Sequence, residues 1–305
     1  MRLFLRKIFL FLILTLGSYI VSINLLELIL PDIYKPNILY QVGDGMLKKK
    51  MRDSERISSP DVVFLGSSHA YYSFDPVFFD KIGVSSFNWG TSQQTHPQTQ
   101  MVIKEYITQN KPKLVIYEVF PEIFAMSGRE SMADFLNAGE PFEVSFGDIW
   151  HFDNSIALIN TYLIKYSRRI LGVKDKTEFF DDKESYDRGF IKETNLNNNP
   201  RNIPMLKWVP RENQLKAFEE NLKLLKDLDI PVLLVIAPYP FDYKNSDDFM
   251  SYLQPKAKLL SYKEILEFDE IEDFSDFHHL NYNGVLKMNR HLIEFLTKNN
   301  YLSKS

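Results

Sequence analysis

The stretch DVVFLGSSHA, Asp61 to Ala70, decides the fold. A short β-branched apolar run stops at Gly66, and two serines and a histidine follow before the chain turns helical. That is the pattern of a buried strand feeding a helix. Outward from it, VSSFNWG (Val84–Gly90) and KPKLVIYEVF (Lys111–Phe120) read as further strands, and IPVLLVIAPYP (Ile230–Pro240) as the clearest of all. YYSFDPVFFDKIG is helical up to Gly83, and HPQTQMVIKEYITQN is a helix with Pro97 in its first turn. Leu215, Phe218, Leu222, Leu225 and Leu228 form one apolar helical stripe. Strands alternating with helices predict an α/β domain around a central parallel sheet. The segment FMSYLQPKAKLLSYKEIL reads as a helix pair or one helix interrupted at Pro255, and the chain closes with an amphipathic helix through Leu286, Leu292 and Leu296.

Between residues 121 and 205 the alternation fails, and this region reads as an insertion after the third strand. It carries a helix over Asp153–Gly172 with an Asp or Asn cap, then a long polar loop over Asp175–Asn202. At the other end, Arg2, Arg6 and Lys7 precede a run that is apolar from Ile8 to Ile23 and nearly so to Leu30. A span needs about 20 apolar residues, and no small-residue cleavage site follows. Residues 1–30 therefore read as a signal anchor rather than a cleaved peptide, ending near Ile23 because Asn24 and Glu27 suit hydrocarbon poorly. The basic flank keeps Met1 in the cytoplasm and exports the rest, a single-pass protein of the cell membrane. Residues 31–60, with two prolines and the Lys48–Lys50 run, read as a solvated stalk, and residues 61–305 as the globular domain.

The 305 residues are 45% apolar and carry a formal net charge of −4 with both signs scattered, which excludes the basic footprint of a nucleic-acid binder. There is no cysteine, so disulfides and thiolate metal sites are excluded, and the six histidines lack zinc spacing such as His-Glu-x-x-His. No cofactor and no metal is implied.

Ligands of parallel α/β sheets bind outside the carboxyl ends of the strands, which is where Ser67 and Ser68 fall. A serine there either caps the following helix or serves as a nucleophile next to its free N–H groups. A nucleophile needs a base braced by an acid. DFSDFHHLNYNGV supplies both: Asp276 and His279 are separated by two residues on a loop before the last helix. His278 and His279 alternate in direction, and neighbouring Leu280 and Asn281 favour His279; Asp273 is a second candidate acid with looser spacing. The competing reading is an acidic surface loop with two solvated histidines.

FLGSSHA, FNWGTSQQT and DFHHLNYNG together resemble the SGNH (GDSL-like) hydrolase and acyltransferase superfamily over Asp61–Phe120 and about Ile230–Leu296. The resemblance implies a three-layer α/β fold with Ser68 as nucleophile, His279 as base and Asp276 as its orienting acid. It implies an oxyanion hole from the backbone N–H groups of Ser68 and Gly90. Two departures stand out. Ser67 occupies the place of the motif's aspartate, and the Gly-x-Asn-Asp block after the third strand is replaced by VIYEVFPEIF with Glu118. Asn88 is the substitute for the missing asparagine donor, a group typically worth about 3–4 kcal/mol. These departures make the chain look like the membrane-anchored branch that includes D-alanyl transfer and alginate O-acetylation proteins. That likeness implies an acylated donor, a glycan acceptor and a membrane-bound O-acyltransferase partner. GSSHA also approximates the G-x-S-x-G elbow of α/β-hydrolases, but only one strand precedes it here. Aromatics and Arg188 of the SYDRGF loop could contact sugar or simply be solvated. Two functions follow: extracytoplasmic acyl transfer or ester hydrolysis on a cell-envelope polysaccharide, or a non-catalytic binding and assembly subunit that keeps the fold.

Overall fold

The computed structural model describes all residues except 32–34, 36, 41–44, 58, 151, 153, 174–184, 199, 201–202 and 303–305. Helix α1 covers Arg2–Ile29 and α2 covers Met46–Ser54. Strand β1 (Val62–Leu65) leads into α3 (Ser68–Ser73) and α4 (Pro76–Asp80), then β2 (Ser86–Asn88). Helix α5 (His96–Val102) runs through a π-turn at Ile103–Ile107 into α6 (Thr108–Asn110), and β3 (Leu114–Glu118) follows. Beyond a 3-10 turn at Pro121–Phe124 come α7 (Arg129–Ala138), α8 (Phe146–Ile149) and α9 (Ile156–Ile170). A hairpin of β4 (Tyr186–Asp187) and β5 (Phe190–Ile191) precedes α10 (Glu212–Asp227) and β6 (Val232–Ile236). The chain ends with α11 (Ser246–Leu253), β7 (Lys258–Ser261), α12 (Tyr262–Ile265) and α13 (Tyr282–Lys298).

The chain divides into two compact units, one of Met1–Gly45 with Met132–Glu178, the other of Met46–Ser131 with Phe179–Ser305. The larger unit is built on a five-stranded sheet of order β2-β1-β3-β6-β7, parallel throughout. All four residues of β1 and all five of β3 are buried, which is why β1, and β3 up to Glu118, read as apolar runs. Val62, Phe64, Leu114, Ile116, Leu233 and Val235 face one core with Phe74, Phe79, Val285, Met288 and Leu292 of the α3, α4 and α13 layer. Tyr117 faces the other way and meets Phe218 of α10 with ring centroids 5.6 Å apart. The α/β expectation and its central parallel sheet thus hold.

Strand β7 departs from the helical reading of the segment around Pro255. It pairs with β6 from Leu233–Lys258 to Ile236–Ser261, while Lys258 is exposed and Leu259 half-buried. An edge strand of four residues has too few apolar positions to display a period of two, so a helix and a strand fit its letters equally. The hairpin β4–β5 lies in the segment read as a polar loop, much of which falls outside the described residues. The helix expected over Asp153–Gly172 begins at Ile156 after Ser155, whose side chain makes no cap bond, and Asp153 falls outside the described residues. Met46–Ser54, within the segment read as stalk, is helical, and its Lys50 is fully buried.

In the smaller unit, α1 is long and apolar enough to cross a membrane. Its C-terminal half packs against α9, and the two residues that suit hydrocarbon poorly have partners there. Asn24 Nδ2 donates to Ser167 Oγ at 2.9 Å, and Glu27 pairs with Arg168 and, at 3.6 Å, with Lys35. Tyr19 Oη donates to Asn160 Oδ1 at 2.5 Å.

Candidate active site

The site is assembled within the larger unit from the turn after β1, the end of β3 and the loop before α13. At the first of these, Gly66 has φ +141°, and a Cβ there would lie 2.8 Å from Glu118 Cβ. Only glycine fits so close to the neighbouring strand. The two serines that follow make different bonds. Ser67 is the N-cap of α3, its hydroxyl accepting from the His69 N–H at 3.3 Å. Ser68, one residue on and half-buried, is left with its hydroxyl at 2.8 Å from His279 Nε2.

The loop before α13 is fixed by local chemistry. Asn281 caps α13 by accepting from the N–H groups of Asn283 and Gly284. Its side-chain amide also donates to the carbonyls of Glu272 and Phe274 at 2.8 and 3.0 Å. A Cβ on Gly284 would meet the Asp273 carbonyl oxygen at 2.4 Å. Phe274 and Leu280 form an antiparallel bridge, closing the short loop that carries Asp276, His278 and His279. Inside it, Asp276 Oδ1 accepts from the N–H groups of both His278 and His279 at 2.8 Å. Asp276 Oδ2 then meets His279 Nδ1 at 2.8 Å. A continuous chain of hydrogen bonds runs from carboxylate to imidazole to hydroxyl, from residues 211 apart in sequence at its hydroxyl end. Burial pushes the Asp276 carboxyl up, but the hydrogen bond and charge of His279 with the two backbone donors outweigh it and hold the group below the usual carboxylate range. Asp273 is engaged elsewhere: its carboxylate takes the Lys287 ammonium at 2.5 Å and the Asp269 N–H at 2.7 Å.

Asn88 and Gly90, the other expected oxyanion donors, make hydrogen bonds within the protein. The Asn88 amide donates to the carbonyls of Ala70 at 2.9 Å and Phe74 at 3.2 Å, so both its N–H groups are spent. Its oxygen accepts the Gly90 N–H at 3.0 Å. Asn88 is fully buried, and both residues bind the end of β2 to α3 instead of offering a donor to substrate. Gly90 is needed for packing, since a Cβ there would lie 2.7 Å from Ala70 Cβ and from the Ser67 carbonyl oxygen. The buried Lys50 ammonium donates to the Gly90 carbonyl. Arg188 is held in a fork by Asp80 at 2.5 and 2.7 Å and by Asp187, while its carbonyl accepts the Asn88 N–H at 2.9 Å. That hairpin secures β2, and the Arg188 guanidinium is committed to carboxylates.

Three neighbours surround the Ser68–His279 pair: His278, which the sequence offered as the alternative to His279, and His69 and Glu118, to which it gave no role. His69 and His278 meet at 3.0 Å, Nε2 to Nδ1, and His69 stacks on Phe120 with centroids 3.8 Å apart. Burial, and then the neighbouring imidazoles, lower both histidines, His278 to about 4. The third is Glu118, buried at the end of β3, whose Oε2 accepts from the Ser67 hydroxyl at 3.1 Å and N–H at 3.4 Å. Burial raises it to about 8 against the opposing pull of those two bonds, and its Oε1 has no partner among the described residues. The letters GSSH and HH held the signal for the histidines; only the fold brings them together.

Fold and geometry together define an α/β protein with a Ser–His–Asp hydrogen-bonded chain at the carboxyl edge of a parallel sheet. No protein-family model and no curated protein matches the sequence. Among solved structures the chain is similar to a GDSL-like lipase from Bacteroides thetaiotaomicron, at 13% identity and TM-score 0.42, over 84% of this chain and 100% of that one. It is also similar to a gut microbial diltiazem-metabolizing enzyme, at 12% identity and TM-score 0.37, over 78% of this chain and 46% of that chain.

Proposed function

We propose that the protein is a serine-dependent acyl-transfer enzyme or esterase of the SGNH (GDSL-like) kind. The observation that carries this is the pair of 2.8 Å contacts joining Ser68 Oγ to His279 Nε2 and His279 Nδ1 to Asp276 Oδ2. Ser68 Oγ attacks an acyl carbonyl carbon as its proton passes to His279 Nε2. Asp276 holds Nδ1 protonated and stabilises the imidazolium. The oxyanion rests on the Ser68 backbone N–H at the start of α3. Collapse breaks the bond to the leaving group, which takes the proton from His279 and leaves an acyl-serine. An acceptor hydroxyl then gives its proton to His279 as it attacks the acyl carbon, and the acyl–Oγ bond breaks as His279 passes that proton to Ser68 Oγ.

The acceptor is water or a sugar hydroxyl of a cell-envelope polysaccharide. The basic flank of α1 supports a cytoplasmic N-terminus with the larger unit outside the membrane, beside a membrane-bound O-acyltransferase that supplies the acyl group. Labelling with a serine-directed fluorophosphonate tests the chemistry. The wild-type protein takes the label and Ser68→Ala does not. Equal labelling of both ends the proposal.

The engagement of Asn88 and Gly90 favours a second reading, a non-catalytic envelope subunit, because it removes two of the expected oxyanion donors. Under that reading the folded protein takes no label, and Ser68→Ala functions normally in cells.

A further inference from the structure

We infer that His69, His278 and His279 form a zinc-binding site at the reaction centre, and that zinc bound there switches the Ser68 hydroxyl off. One nitrogen of each ring lies within 4.8 Å of the others. His69 Nε2 and His278 Nδ1 are already 3.0 Å apart. Ligand nitrogens around tetrahedral zinc, with bonds of about 2.1 Å, sit about 3.4 Å from one another. One pair is therefore at coordination spacing, and the third nitrogen arrives by a ring displacement of about an ångström.

The surroundings are those of a metal site and not of three loose surface histidines. His69 is 2% exposed, and its ring is held against Phe120. His278 and His279 stand on the loop closed by the Phe274–Leu280 bridge. His279 donates its Nδ1–H to Asp276, the carboxylate–histidine pairing that orients a metal-bound imidazole and leaves Nε2 as the donor atom. Three protein nitrogens leave a fourth position, on the side where Ser68 Oγ stands 2.8 Å from His279 Nε2. On binding, the proton shared by His69 and His278 moves to the far nitrogen of its own ring, so each imidazole stays neutral and contributes one lone pair. The His279 lone pair that would accept the Ser68 proton is then occupied by zinc. Nothing is oxidised, and chelation restores the free base.

The effect on activity rests on the proposed function; the binding itself does not. The experiment therefore uses two readouts on the full chain in detergent micelles. Calorimetric titration with zinc chloride is expected to show one saturable site of micromolar affinity. Fluorophosphonate labelling is expected to be blocked by zinc and restored by EDTA. In His278→Ala, and in His278→Gln as a second variant checked by circular dichroism, affinity for zinc falls at least tenfold. The zinc concentration that halves labelling, measured against each variant's own zinc-free labelling, rises to match. Absence of saturable binding below about 100 µM, or unchanged affinity in both folded variants, overturns the zinc site. A protein that binds zinc through His278 and takes no label under any condition refutes the catalytic reading while upholding the site.

Discussion

At the scale of single residues, the site separates groups by the bonds they already make. Ser67 is spent on capping α3 and on Glu118, so of the two serines it is Ser68 whose hydroxyl faces an imidazole. Asp276→Asn removes the acceptor that keeps His279 Nδ1 protonated, and acyl-transfer or labelling rates are expected to fall about 10⁴-fold with little change in thermal stability. Glu118 makes a prediction about pH. Its folded pKa, about 8, is raised from 4.5, so the folded chain keeps a proton that the unfolded chain has released. Stability therefore falls as pH rises through that window, and Glu118→Gln flattens the fall. Melting temperatures of both proteins across the window measure it; parallel curves would contradict the burial argument. Sequence reading singled out the serine, histidine and aspartate that the fold brings into contact because their spacing has a chemical reason. It noted Glu118 only as a departure from the motif, because one glutamate at the end of an apolar strand does not reveal that Gly66 and Ser67 fold onto it. It assigned Asn88 and Gly90 to the substrate because an amide's partners are invisible until the neighbouring helix is in place.

At the scale of elements, the segment from Phe274 to Gly284 shows how caps serve chemistry. Asn281 closes the first turn of α13 and ties down two carbonyls of the preceding loop. Asn281→Ala loses the cap, about 1 kcal/mol, and leaves those carbonyls short of a donor. A lower melting temperature is expected together with slower labelling of Ser68, since the loop it frees carries Asp276 and His279. Gly284→Ala is expected to be worse, because the Asp273 carbonyl is backbone and cannot step aside. Chemical denaturation of both variants ranks them. The strands β1, β3 and β6 were legible because burial on both faces writes a nearly unbroken apolar run. Strand β7 was not, because an edge position buries only part of a four-residue stretch and the apolar count stays ambiguous.

At the scale of the whole molecule, α1 has two kinds of surface. Much of it is exposed and apolar, from Leu3 to Leu16, while Asn24 and Glu27 are paired with α9. Deleting residues 1–30 to obtain a soluble protein removes those partners and leaves Arg168 without Glu27. The truncated chain is expected to lose thermal stability or aggregate relative to the full chain in detergent, as calorimetry and size-exclusion chromatography would show. An unchanged melting profile would mean that the pairing of α1 with α9 contributes little. The two turns of the reactive chain are separated by 211 residues, and this distance also orders events in time. A polypeptide emerging from its amino end presents the serine long before the imidazole exists. Until the final helix is made and capped, Ser68 lacks the His279 ring it faces in the folded chain, so under the proposed function a nascent or prematurely terminated chain is expected to be silent towards the esters around it.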